Sequence, residues 1–251
     1  MRLNDKVAIV TGAGSGMGKA IAQRFAAEGA ALVIGDIATD RLDAVAMEIG
    51  GVSVVTVAGD ISNPATADAL VQAALDRFGR LDILCNNAGI MDYMQGVGEL
   101  GDEVWNRVLG VNLYGPMYTM RRAMPELKRT QGCIVNVGST ASKHGAAAGA
   151  AYTASKHGLL GLSQNTAWMY AKNGVRCNLI APGATATHIS DSMPQDKLDA
   201  VGAARTGEFA ALIPAVLDAS DIADLALFLA SDESRRINGA VIAADGGWDA
   251  V

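Results

Sequence analysis

The sequence is short of the residues that would mark a crosslinked, metal-bound or nucleic-acid-binding protein. Its 251 residues hold three cysteines. Cys85, Cys133 and Cys177 lie in or beside apolar runs, with no pair at metal-ligand spacing, so they read as buried reduced thiols and no metal site is expected. The three histidines are scattered, and no carboxylate or nucleophile is spaced to recruit His144, His157 or His188 into catalysis. His144 and His188 flank the expected pocket and are the two placed to touch a substrate. Positive charge is also scarce: 20 Lys and Arg stand against 26 Asp and Glu. Basic neighbours never exceed two, as at Arg121-Arg122 and Arg235-Arg236, which argues against nucleic acid as a partner. The longest uncharged stretch, between Lys156 and Lys172, carries Ser163, Gln164, Asn165 and Thr166; it is too short and too polar to cross a bilayer. A strand-like run starts at Lys6 and leaves no room ahead of it for a leader, so a cytoplasmic location is expected.

What the sequence does have is apolar bulk. Half of it is hydrophobic and 18% is charged, which suits a sheet covered by helices on both faces. Seven β-branched runs recur: KVAIVTG, ALVIGD, SVVTVAGD, LDILCNNAG, CIVNVGS, VRCNLIAPG and AVIAADG. Between them lie helix-like segments, Gly16 to Glu28, Pro64 to Phe78, Val104 to Leu127, Ala150 to Ala171 and Ser220 to Ala230, with apolar residues three and four apart. The alternation predicts an α/β fold with about seven parallel strands in one domain spanning residues 1–251. Nearly every run ends in Gly, Asp, Asn or Ser, which puts a site along the carboxyl edge of the sheet. Residues 188–217, with Pro194, Gly202, Gly207 and Pro214, break the rhythm and read as an irregular lid inserted in the domain.

The first run leads into VTGAGSGMGKAIAQ. Gly12, Ser15, Gly16, Met17 and Gly18 stand between a strand and a helix, where glycine lets a pyrophosphate approach the amides at the positive helix end. Asp36 ends the second run about twenty residues further on, where a carboxylate meets ribose hydroxyls and repels a 2′-phosphate. A turn or cap aspartate is the plainer alternative. Neither Ser15 nor Ile37 supplies a cation, so NAD is expected over NADP. Asp60, followed by Ile61, is placed to accept a hydrogen bond from adenine or to cap the helix after Pro64.

The hexapeptide TASKHG occurs twice, at 140–145 and 153–158, preceded once by Ser139 and once by Tyr152. Tyr152 and Lys156 are one helical turn apart on one face, and an ammonium near a phenol is expected to pull its pKa down from about 10. Ser139 ends the fifth run at the ligand-binding edge. The two copies therefore belong to different settings, a loop and a helix, and Ser139 and Tyr152 form two parts of one site rather than a repeat.

Together, TGAGSGMG at Thr11 to Gly18, NNAG at Asn86 to Gly89, Asn112 in GVNLYG, Ser139, YTASK at Tyr152 to Lys156 and PGATAT at Pro182 to Thr187 resemble the classical short-chain dehydrogenase/reductase family along essentially the whole chain. The resemblance implies a Rossmann-type doubly wound fold. It also implies Tyr152 as acid/base, Ser139 as hydrogen-bond partner of the reacting oxygen, Lys156 also on the nicotinamide ribose, and Asn112 holding a water that links the lysine to solvent. Asn87, Ala88 and Gly89 would pack along the cofactor. Pro182, Gly183, Thr185 and Thr187 would meet the carboxamide and phosphates, and a homotetramer is implied.

The expected function is NAD-dependent interconversion of a small-molecule secondary alcohol and its ketone. A 3-oxoacyl-(carrier protein) reductase or a sugar or polyol dehydrogenase is the alternative within the family, and a nicotinamide-sensing regulator is the alternative without chemistry. Met91, Tyr93 and Met94, with Met193, Phe209, Leu212 and Ile213 in the lid, suggest apolar, adaptable pocket walls.

Overall fold

In the computed structural model, which describes residues 1–50, 53–187 and 189–250, seven strands form one sheet in the order β3-β2-β1-β4-β5-β6-β7. They are β1 (Val7–Thr11), β2 (Ala31–Asp36), β3 (Val54–Ala58), β4 (Ile83–Asn86), β5 (Cys133–Val137), β6 (Arg176–Pro182) and β7 (Val241–Ala244). Every neighbouring pair is parallel. Each strand falls inside one of the seven β-branched runs. All five residues of β1 are buried; Ala8 and Val10 enter one core while Val7 and Ile9 enter the other. That alternation is what a strand covered on both faces requires.

Helices α1 (Gly16–Ala27) and α2 (Thr39–Ile49) cover one face together with the helix at Ala219–Ala230, through Phe25, Leu42 and Leu227 among others. Helix α3 (Pro64–Phe78) covers the opposite face through Leu70 and Val71, beside the helices at Gly115–Thr130 and Ala150–Tyr170. From β1 the chain steps outward to β2 and β3, then returns to place β4 on the other flank of β1. The reversal opens a crevice between the carboxyl ends of β1 and β4.

Three elements depart from the sequence reading. Helix α2 buries only Leu42 and Val45 fully, a stripe too narrow to stand out from its polar neighbours. The segment read as one helix from Val104 to Leu127 is α4 (Asp102–Leu109), a π-helical turn (Gly110–Tyr114) and α5 (Gly115–Thr130). The wider turn carries Asn112, which is completely buried. After α6 (Ala150–Tyr170), the expected irregular stretch contains α7 (Ala200–Ala210), despite Gly202 and Gly207. Asp199 caps α7 by accepting the Gly202 N–H at 2.7 Å. A Cβ at Gly202 would lie 1.8 Å from the Met94 carbonyl oxygen, so this glycine allows close packing and does not break the helix. None of α7's residues is fully buried, hence the missing apolar signal. The last helix, α8 (Ala219–Ala230), opens with a capping box between Asp218 and Asp221.

The two TASKHG copies take different conformations: Thr140–Ser142 forms a 3-10 turn capped by Ser139, while the second copy lies inside α6. The three cysteines are free and buried. Burial pushes the Cys85 thiol up to about 12 and that of Cys133 to about 11. Among the described residues no helix is long and apolar enough to cross a membrane.

Candidate active site

A cleft of about 510 Å³ runs along the carboxyl edge. At one end lies the glycine turn. Gly12 has φ +65°, and a Cβ there would sit 2.8 Å from Ala88 Cα, so the turn closes directly onto the segment after β4. Ser15, Gly16 and Met17 line the cleft, and Ser15 makes no side-chain cap on α1, which leaves the positive helix end toward it. Gly18 does not line the cleft. Its Cβ would fall 2.0 Å from the Gly12 carbonyl oxygen, so it serves to seat α1 against the end of β1.

Asp36 makes the turn contacts that the plainer reading of it expects. Its carboxylate accepts the N–H of Gly14 at 2.9 Å and of Ala38 at 3.0 Å, bracing the glycine turn against the start of α2, and it also lines the cleft. Ile37 lies exposed at the mouth. Asp60 accepts the Ser62 N–H at 2.8 Å, while Asn63 caps α3, so the capping alternative for Asp60 is set aside. Asp60 and Ile61 both border the cleft.

Asn87, Ala88 and Gly89 form the wall opposite the turn. Thr11 Oγ1 accepts the N–H groups of Asn87 and Ala88, and Asn87 Nδ2 donates to the carbonyls of Thr11 and Gly12. Asn87 Oδ1 is buried without a hydrogen-bond partner. A dinucleotide fits this cradle on two grounds: backbone stripped of side chains beside a helix N-terminus, and an orphaned acceptor suited to a ribose hydroxyl.

The chemical end is built by α6. Tyr152 and Lys156 both line the cleft and are almost fully buried. Lys156 Nζ donates to the Val137 carbonyl at 3.0 Å and lies 5.5 Å from the centroid of the Tyr152 ring. Burial lowers the lysine to about 8. The tyrosine departs from expectation: burial pushes its phenol up to about 12, against the opposing pull of the Ser139 hydroxyl. Desolvation of the phenolate is the largest cause, and the Asp92 carboxylate adds to it. Ser139 Oγ also accepts the Ala141 N–H at 3.1 Å, which fixes the hydroxyl beside the phenol.

Asn112 does not reach the cleft. Its Oδ1 accepts the Ile90 N–H and its Nδ2 donates to the Ile90 carbonyl, each at 2.9 Å, so its side chain stitches the π turn to the wall of the site. Thr187 lines the cleft, whereas Pro182, Gly183 and Thr185 form the scaffold behind it. The Pro182 carbonyl accepts the Thr140 hydroxyl, Gly183 N–H bonds Ala244, and Thr185 pairs with Leu217.

His144 pairs with Asp249 and stacks on Phe209, His157 donates back to the Thr153 carbonyl on the exposed side of α6, and His188 lies outside the described residues. Ile90 and Ile189 line the cleft, whereas Met91, Tyr93 and Met94 do not; Met91 and Met94 pack against the apolar cluster that contains Tyr152. Phe209 stacks instead on Trp248, and Leu212 is exposed. Met193 and Ile213 are half-buried.

Sequence reasoning missed Arg41, Arg107, Asp191 and Ser192, all of which border the cleft. Arg41 comes from α2 and reaches within 4.0 Å of Asp191. Arg107 donates to the Met91 carbonyl and lies 5.0 Å from the Tyr93 ring. No local motif marks them, because each reaches the site by tertiary packing.

A family model described as "Enoyl-(Acyl carrier protein) reductase" matches residues 12–249. The chain is 39% identical over 252 residues to 3beta-hydroxysteroid dehydrogenase 2 of Eggerthella lenta, covering 99% of this chain and 96% of that one. Among solved structures it is similar to levodione reductase, with a TM-score of 0.89 and 34% identity over the full length of both chains. It is also similar to a 3-ketoacyl-(acyl-carrier-protein) reductase from Brucella melitensis complexed with NADH, with a TM-score of 0.88 and 34% identity, covering 98% and 99% of the two chains.

Proposed function

Because the chain belongs to the short-chain dehydrogenase/reductase family and is thereby an oxidoreductase with a nicotinamide cofactor, we propose that it interconverts a secondary alcohol and its ketone with NAD, using Tyr152 as general acid and base. The carrying observation is that Tyr152 and Lys156 line one end of the cleft whose other end is the glycine turn, with the Ser139 hydroxyl, itself not part of the lining, hydrogen-bonded to the phenol. When bound, the dinucleotide supplies the hydride acceptor or donor. In the oxidative direction Tyr152 takes the alcohol proton while Ser139 donates a hydrogen bond to the oxygen on which charge develops. In the reductive direction a phenol held protonated by burial is a ready donor. Lys156, held by the Val137 carbonyl, keeps a positive charge below about pH 8 and steadies the phenolate as it forms.

Tyr152→Phe keeps the ring and removes the transferable proton. Turnover should fall by at least about a hundredfold while cofactor binding survives. Near-normal turnover by the folded variant would eliminate Tyr152 as the acid/base.

The choice of NAD rests on Asp36, which presents a carboxylate at the ribose end of the cleft. Arg41 is near enough to offer a cation to a 2′-phosphate, but it leans toward Asp191. A preference for NAD of on the order of a hundredfold in kcat/KM follows from placing two negative groups together.

The apolar side chains of Ile90 and Ile189 in the cleft wall support a small or medium, largely apolar substrate over a sugar or polyol. A carrier-bound 3-oxoacyl substrate stays in play, because the Brucella reductase was solved with NADH and cofactor choice does not separate the two classes. An assay of NADH formation across free secondary alcohols, set against reduction of a 3-oxoacyl thioester, separates them. A homotetramer is supported by apolar side chains left exposed on α6, Trp168 at 82% and Met169 at 61%. Three unpaired cysteines fit a reducing compartment such as the cytoplasm.

A further inference from the structure

Asp92 is completely buried in the segment after β4, yet it pairs with no cation among the described residues. Its partners are three backbone N–H groups. Oδ1 accepts from Met94 at 3.0 Å and Gly149 at 3.2 Å, and Oδ2 accepts from Tyr152 at 2.8 Å. Gly149 is the N-cap residue of α6 and has no side chain to cap it. The carboxylate of a distant loop therefore does what a capping side chain does elsewhere, and it binds the backbone of the candidate catalytic tyrosine itself. Space confirms the fit: a Cβ on Gly149 would lie 2.6 Å from Asp92 Oδ2.

The same segment carries the lid. Ser192 Oγ accepts the Met91 N–H at 3.0 Å, the Tyr93 carbonyl accepts the Asp199 N–H at 2.9 Å, and α7 begins against Met94. One buried carboxylate thus joins the first turn of α6 to the strip on which the lid rests.

We propose that Asp92 is a positioning residue that fixes Tyr152 in the site by capping α6 from outside the helix. The proposal rests on the reading of Tyr152 as acid/base. The groups around the tyrosine are Lys156 and Ser139 at its side chain and Asp92 at its backbone N–H. Asp92 is the anion of the three and raises the tyrosine's pKa. Asparagine at position 92 removes that charge and sets an amide NH2 against backbone N–H groups that the carboxylate accepts, so the cap is lost with the charge.

The test compares Asp92→Asn, Gly149→Ala and Tyr152→Phe for kcat against pH in alcohol oxidation, with cofactor Kd and thermal melting measured on each. Asp92→Asn should lower the kcat plateau about tenfold or more. Its acid limb should move to lower pH by roughly half a unit or more, because phenolate forms more easily once the neighbouring anion is gone. Gly149→Ala crowds the carboxylate off the helix but keeps its charge: kcat should fall with no downward movement of the limb. Cofactor Kd should stay within about twofold in both. Wild-type kcat and an unmoved limb in Asp92→Asn would overturn the proposal. Should that variant fail to fold, Gly149→Ala decides, and wild-type kcat there overturns it equally. Turnover retained by Tyr152→Phe would sink the acid/base reading, whereas an inactive Tyr152→Phe beside a wild-type Asp92→Asn sinks only the role of Asp92.

Discussion

The glycine turn and residues 189–217, the stretch read from the sequence as a lid, are built on opposite plans. Around the turn, short side chains bind main chain: Thr11, Asn87 and Asp36 make six hydrogen bonds of 2.9 to 3.2 Å to backbone groups, and glycines sit where a single carbon would collide. The lid buries no residue of α7 fully and is pinned at a few points, among them Ser192 to Met91, Asp199 to Tyr93 and the Trp248 indole to the Phe209 carbonyl. Close backbone approach constrains residue type locally, whereas a helix held at a few points does not.

Two glycine substitutions sharpen that contrast most directly. Gly18→Ala places a carbon 2.0 Å from the Gly12 carbonyl oxygen. It should cost about 1–3 kcal/mol of stability and weaken cofactor binding by on the order of a hundredfold, as read by denaturant titration and NADH fluorescence. Unchanged Kd would mean that the turn is looser than its packing shows.

The next largest effect is cofactor discrimination. Asp36→Ala should narrow the NAD over NADP ratio in kcat/KM by about tenfold, mainly through weaker use of NAD, and adding Ile37→Arg should narrow it further. Equal use of NADP by the wild type, or an unmoved ratio in Asp36→Ala, would remove Asp36 as the selector. Hydrogen exchange probes the other stretch. Amides of α7 should exchange far faster than those of α1 in the free protein and slow on addition of cofactor and substrate. Strong protection from the outset, unaltered by ligand, would end the distinction between the two. The smallest effect belongs to Gly207→Ala, where nothing lies within 4 Å of the added carbon. Helix α7 should gain about 0.5–1 kcal/mol, with Tm rising by about 2 °C. A loss of stability there would show that the lid is packed as tightly as the turn.

The same division explains what could be read from residues alone. All seven strands were legible because each is a short β-branched run buried on both faces. Gly12, Gly16, Asp36, Tyr152 and Lys156 were legible because their spacing along strand, turn and helix fixes their meeting. Helices α2 and α7 were not, since one buries only two residues fully and the other none. Arg41 and Asp92 were invisible for another reason: they reach the cleft and the first turn of α6 across the fold, and no spacing along the chain encodes that. The direction of the Tyr152 shift was misread because neighbouring charge can be counted from sequence, whereas the loss of solvent around the phenol cannot.

Thr140 through Gly145 and Thr153 through Gly158 spell the same word with two meanings. In the first, Ser139 caps a single 3-10 turn and the chain then leaves through alanine and glycine; in the second, the letters continue a helix already under way from Ala150. A free peptide of this sequence should hold neither shape, because six residues cannot nucleate a helix unaided. The word alone gives its two lysines the same reading. Lys143 in one copy reaches Asp249 near the end of the chain, and Lys156 in the other stands beside the tyrosine. The protein thus contains its own internal control, and it shows that identity of letters carries no function until the preceding residues have set the backbone's direction.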